Sequence, residues 1–187
     1  MKRYSTTQTA ALIRKDLRGS FPAVKFSVRC GTGTASSWIG IAWTDGPTDD
    51  TVRNHVDHYH GARFNGMTDS YDVAPPALVA TTPDELPELA GYWVDGITTH
   101  RTYSAAAVRH AATVLAAENP SVIGAQLPKA AIDTLDYNDL HRTLMLRTLD
   151  TTTLSYRGHL LPTSAASDLG SALASALAAT DYTTDQH

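Results

Sequence analysis

Ala10, Ile13 and Leu17 recur at the three- and four-residue spacing that puts side chains on one stripe, and they predict a helix over residues 6–18. Ser5 or Thr6 can accept an amide hydrogen bond at its start, and Gly19 can take the left-handed position after its end. Phe21 and Pro22 lead into an extended segment, because proline disfavours a helical residue before it. From residue 24 to residue 30 the chain alternates. Val24, Phe26, Val28 and Cys30 face one side, and Lys25, Ser27 and Arg29 face the other, as in a half-buried strand. Residues 31–36 are a small-residue hairpin loop. They lack the Gly-Lys-Ser/Thr ending of a phosphate-cradling loop and open no helix. A second strand over residues 37–44 carries Ile39, Ile41 and Trp43 on one face. Asp45-Gly46-Pro47 turns the chain. Thr48 then starts a helix with Asp49 and Asp50 near its positive end, an apolar stripe of Val52, Val56 and Tyr59, and Gly61 as its stop.

The later pattern is looser. Pro75, Pro76, Pro83 and Pro87 argue against a helix in residues 70–90, which read as a connector, a lid or a partner-binding arm. Residues 91–103 are strand-like, and Ser104 caps an alanine-rich helix over residues 105–118 that Asn119 and Pro120 close. Leu140, Leu144, Leu146 and Leu149 read as a helix from a start capped near Asp136 and Asn138. Residues 154–161 are extended. Residues 163–179 form an amphipathic helix with Leu169, Leu173, Ala176 and Leu177 on one face, and residues 180–187 fray. The 31–36 loop is too short for a parallel crossover, so its strands pair antiparallel. The expected fold is α+β: a mainly antiparallel sheet with helices on one face, plus C-terminal helices. Residues 1–120 form the main domain, and residues 121–187 a mostly helical extension packed on it.

Composition narrows the setting. A single cysteine, Cys30, excludes an internal disulfide, fits a reducing, cytoplasmic protein and reads as a small buried hydrophobe. No apolar run of about 18 residues offers a membrane span, and the N-terminus lacks the apolar stretch of a secretory signal. Aspartate (16) far outnumbers glutamate (3) and arginine (11) outnumbers lysine (4), the coding bias of a high-GC genome, which points to an actinobacterial source or its phage. The net charge is −4, yet residues 1–30 hold seven cations against Asp16, a local +6 that leaves −10 on the rest. Arg14, Lys15, Arg18, Lys25 and Arg29 are therefore candidates for a polyanion-contacting patch on an acidic body, or for an ordinary solvated face.

Candidate chemistry is sparse. His55, His58 and His60 are spaced by three and two, without a second cluster, which predicts histidines settled on a helix C-terminus and no metal site. His100, Arg101 and Tyr103 lie where a strand passes into a helix, and with Asp69 they make a possible functional cluster for acid–base or nucleophilic work. The alternative is structural: Ser104 caps and Tyr103 packs. No motif implies a cofactor.

Thr9-Ala10-Ala11-Leu12-Ile13-Arg14-Lys15, Phe21-Pro22-Ala23-Val24-Lys25-Phe26-Ser27-Val28-Arg29, Trp43-Thr44-Asp45-Gly46-Pro47-Thr48 and Phe64-Asn65-Gly66-Met67-Thr68-Asp69 follow one another in order. Together they resemble a large polyvalent protein-associated domain, number 29, over about residues 5–120, with a weaker match through residues 92–104. The resemblance implies a phage, prophage or plasmid product, since such domains occur in long proteins thought to accompany incoming DNA and counter host defences. It supplies no catalytic residue. The expected function is a non-enzymatic mobile-element protein that binds a host protein or complex, as a defence-system inhibitor. The alternatives are a nucleic-acid-binding module using the basic face, weak and salt-sensitive, and a small enzyme around His100, Arg101 and Tyr103.

Overall fold

Ser5 opens the first long helix because its hydroxyl accepts the Gln8 amide while the Gln8 side chain accepts the Ser5 amide at 2.9 Å, a reciprocal capping box. The computed structural model describes residues 2–65, 67, 69–73, 77–79, 86–151 and 153–183. They divide into two compact units: residues 1–43 with 49–101, and residues 44–48 with 102–187. The compact units thus part near residue 101, where the alternation of a strand gives way to the alanine-rich helix.

In the first unit, β1 (Lys2–Tyr4) leads into α1 (Thr6–Ser20). The helix runs through Gly19 and closes at Phe21, whose amide donates to the Leu17 carbonyl at 2.9 Å. Gly19 is therefore not the left-handed stop that the sequence suggests. β2 (Ser27–Cys30) pairs antiparallel with β3 (Trp38–Thr44), Val28 opposite Ile41. β2 is shorter than the alternation predicts, since residues 24–26 belong to the loop before it. α2 (Asp49–Val56) tightens into a 3-10 turn, Asp57–Tyr59. β4 (Ala62–Asn65) and β5 (Ser70–Val73) form an antiparallel hairpin. β6 (Ala77–Val79), β7 (Glu88–Tyr92) and β8 (Gly96–Thr102) follow. Pro75, Pro76 and Pro83 of the expected linker lie outside the described residues.

In place of one mainly antiparallel sheet, the unit has small ones. β1 joins β7 in parallel and β6 joins the other side of β7 antiparallel. β8 lies beside β3 on the edge opposite β2. The Asp95 amide donates to the Ser37 carbonyl, Gly96 lies on the Trp38 ring and Gly40 faces Thr98, so β8 runs parallel to β3. Parallel pairing is allowed here because each partner returns from far along the chain. The α+β class holds. Ile13, Leu17, Val28, Ile39, Ile41, Trp43, Val52 and Val56 share one buried cluster, with Val24, Phe26 and Cys30 half-buried against it.

In the second unit, α3 (Ala105–Glu118) starts at Ser104, whose hydroxyl accepts the Ala107 amide. Asn119 closes it: its side-chain nitrogen donates to the Leu115 and Ser155 carbonyls at 2.8 Å. A π-type turn, Pro120–Gly124, leads to α4 (Lys129–Ile132) and α5 (Tyr137–Arg142), the latter capped by Asp136. β9 (Ser155–Tyr156) and β10 (His159–Leu160) form a hairpin on Arg157-Gly158, both at positive φ. The last helix is split. A 3-10 turn covers Thr163–Ala166, and α6 (Leu169–Ala179) begins afresh on Asp168. Thr180 and Tyr182 are buried, and the Tyr182 amide donates to the Gly46 carbonyl. The start of the tail is therefore packed rather than frayed; residues 184–187 lie outside the described residues.

Candidate functional site

Arg14 and Arg18 stand one turn apart on α1, beside the stripe of Ala10, Ile13 and Leu17 that the helix buries. After the helix the chain curls back. The Val24 amide donates to the Phe21 carbonyl at 3.0 Å. The Phe21 and Phe26 rings lie 5.9 Å apart, and Phe26 meets Trp43 at 5.6 Å. These contacts set the 22–26 loop against α1 and leave a groove of about 420 Å3, lined by Arg14, Arg18 and Lys25 together with Pro22, Val24 and Phe26. Arg14 spans it: its guanidinium donates to the Val28 carbonyl at 2.6 Å.

Arg18 and Lys25 have no hydrogen-bond or ion-pair partner among the described residues. The acid nearest in sequence, Asp16, is two residues from Arg14 and so on another helix face. It accepts from the Tyr59 hydroxyl at 3.3 Å and lies 3.3 Å from His55 Nε2. Of the five cations singled out in the sequence, the structure brings Arg14, Arg18 and Lys25 together. Lys25 arrives from the loop rather than from the strand, so it does not share a strand face with Arg29. Arg29 is exposed on β2 opposite Gly40, and Lys15 is exposed on α1; neither lines the groove.

The histidines diverge. His55 turns to Asp16 and Ser20, with Ser20 Oγ 3.2 Å from Nε2. Serine and aspartate both meet the same ring nitrogen, so this is no nucleophile–base–orienter relay, which needs opposite nitrogens. His60 Nδ1 faces the Asp57 carbonyl at 3.0 Å. Partial burial lowers the pKa of His58, whose ring packs on Tyr59; the Asp16 charge opposes that shift without reversing it. Among the described residues no three His, Cys, Asp or Glu side chains converge. Burial, then the Asp16 carboxylate, raises the Tyr59 hydroxyl; burial, then Tyr4, raises Tyr92, whose hydroxyl is enclosed with no partner among the described residues. Sequence reasoning passed over this Asp16–His55–Tyr59 network. A lone acid among seven cations was the available signal.

The residues grouped around residue 100 have different surroundings. His100 is exposed and Arg101 is 7% exposed, as neighbours on opposite faces of β8 are. Tyr103 stacks on Tyr137, 5.6 Å away, in the second unit. Asp69 is exposed at the β4–β5 turn with φ 49°. His100 and Asp69 make no hydrogen bond or ion pair among the described residues. Cys30 is half-buried, with Sγ 3.8 Å from the Thr6 carbonyl.

Comparison with protein families matches residues 4–104 to the large polyvalent protein associated domain 29. The chain belongs to this family. The polyvalent-associated domain therefore takes in the whole groove, from Arg14 to Phe26, and ends at Ser104, the cap of α3. Membership gives the protein a coarse link to mobile genetic elements. No curated protein and no solved structure matches the chain. Among the described residues no helix is long and apolar enough to cross a membrane.

Proposed function

We propose that this polyvalent-associated domain is a non-enzymatic protein of a phage, prophage or plasmid that docks a host protein at the Arg14–Arg18–Lys25 groove and so obstructs a host defence complex. The observation that carries the reading is a groove with three cations and no acid among its described lining residues, in a chain whose net charge is −4. Local potential, rather than net charge, selects what approaches such a surface. Among its described lining residues such a site offers cations and apolar surface rather than an arranged nucleophile and base, which supports binding over catalysis. The reading places the protein in the cytoplasm of the host cell, in keeping with its single cysteine.

The test is capture from host lysate on the immobilised full chain at about 0.15 M salt. The wild type is compared with the Arg18→Glu/Lys25→Glu double variant, after circular dichroism shows that both are folded. Arg14 is left intact because its guanidinium holds the Val28 carbonyl. A host protein retained by the wild type and lost from the double variant is the expected result. Duplex and single-stranded DNA and RNA are titrated in parallel. Tight nucleic-acid binding whose affinity falls steeply with salt would transfer the groove to phosphate recognition.

A further inference from the structure

The groove between α1 and the 22–26 loop is lined by both charged and apolar side chains. Arg14 and Arg18 rise from one side of α1, and Lys25 faces them from the loop. Pro22, Val24 and Phe26 of the same loop also line it, and the Phe26 ring contacts those of Phe21 and Trp43. One guanidinium nitrogen of Arg14 is fixed on the Val28 carbonyl, which orients that group without neutralising it. A nucleic-acid backbone asks for cations that track it along an extended path and for aromatic faces on which bases stack. Here the cations are gathered at one groove of about 420 Å3 rather than along a path, and Phe26 is the one aromatic among its described lining residues, where a strand asks for successive faces. Planar guanidinium groups match carboxylates with two parallel hydrogen bonds. An apolar side chain beside the carboxylate then covers Val24 and Phe26. Clefts of about 300–1,000 Å3 take drug-sized ligands, the bulk of a few side chains and less than that of a helix.

We propose that the groove takes a short acidic peptide segment of a protein partner, with carboxylates on Arg14, Arg18 and Lys25 and an adjoining apolar side chain on Val24 and Phe26. The proposal rests on the host-docking reading above and names the chemistry of the partner's contact. Asp16 takes no part, because its carboxylate is turned to His55 and Tyr59.

The probe is a fluorescein-labelled decapeptide of glutamates with two leucines, titrated into the full chain at about 0.15 M salt. Companion probes replace the leucines by serine or the glutamates by lysine, or are single-stranded DNA of equal charge. Saturable binding of the glutamate–leucine peptide is expected, with amide shifts confined to residues 14–26. The serine peptide, and the Arg18→Glu and Lys25→Glu variants, each bind about tenfold more weakly or worse. Equal binding of the serine peptide, DNA binding as tight as the peptide, or no saturable peptide binding overturns the proposal. If the peptide fails while host-protein capture still depends on Arg18 and Lys25, only the peptide chemistry falls. If capture ignores the double reversal, the host-docking reading falls with it.

Discussion

Arg14 and Asp16 sit two positions apart on the same helix and meet opposite fates. Arg14 opens onto the groove, while Asp16 is tied to His55 and Tyr59. Sequence alone gives their faces but not their partners, because both partners arrive from elements far along the chain. Asp168, inside the second unit, finds its partners within three residues instead. Burial by itself would raise its pKa, but the Ser171 amide, the Ser171 and Ser167 hydroxyls and the Gly170 amide together hold it below 3.8. A carboxylate held low in the fold stabilises the native state above its unfolded pKa. That contribution is lost as pH falls through the folded value. Asp168→Ala should therefore cost about 1 kcal/mol near pH 7, as lost helix caps do. The deficit should shrink in urea melts below about pH 3.8. An equal deficit at pH 7 and pH 2.5 would show that the charged cap is not its source.

At the scale of elements, caps and stripes were legible. Ser5, Ser104 and the Asp136–Asp139 box start helices where short polar side chains precede apolar periodicity. Ile39, Ile41 and Trp43 point inward as their alternation requires. Boundaries were less legible. The split before α6 comes at a residue that can cap, and a periodic pattern does not distinguish one long helix from two turns and a restart. Gly61 looked like a helix stop, yet its role is close approach. Its amide donates to the Val94 carbonyl, and a Cβ there would meet the Tyr92 carbonyl oxygen. Gly96 lies instead against the Trp38 ring, which is 40% exposed and can turn away. Gly61→Ala should thus cost about 2–3 kcal/mol, and Gly96→Ala about 1 kcal/mol or less. Thermal melts of the two variants check the order. Equal costs would mean that the backbone at Tyr92 yields as readily as a side chain.

At the scale of the molecule, the chain has two cores, and residues 44–48 are built into the second of them. Asp45 and Gly46 adopt positive φ. The Asp45 amide donates to the Thr102 carbonyl, its carboxylate accepts the Ser104 amide at 2.9 Å, and the Gly46 carbonyl accepts the Tyr182 amide. Residues 102–187 expressed alone lack these partners. Their Ser104 and Tyr182 amides should exchange with deuterium at least about tenfold faster than in the full chain, and the fragment should melt at a lower temperature. Unchanged exchange at both amides would show that the Asp45–Gly46 turn contributes nothing to the second core.

The sequence by itself determined the helices with clear caps, the buried face of the first two strands, the family, and the concentration of cations near the N-terminus. Each is a local or periodic property, fixed by neighbours within a few residues. Tertiary structure decided which cations converge, because Lys25 meets Arg14 and Arg18 only once Phe21, Phe26 and Trp43 set the loop against α1. It also gave different surroundings to His100, Arg101, Tyr103 and Asp69, which the sequence had grouped by type and motif alone. Strand alternation sends neighbours to opposite faces, and no spacing rule says what waits on the far side of each.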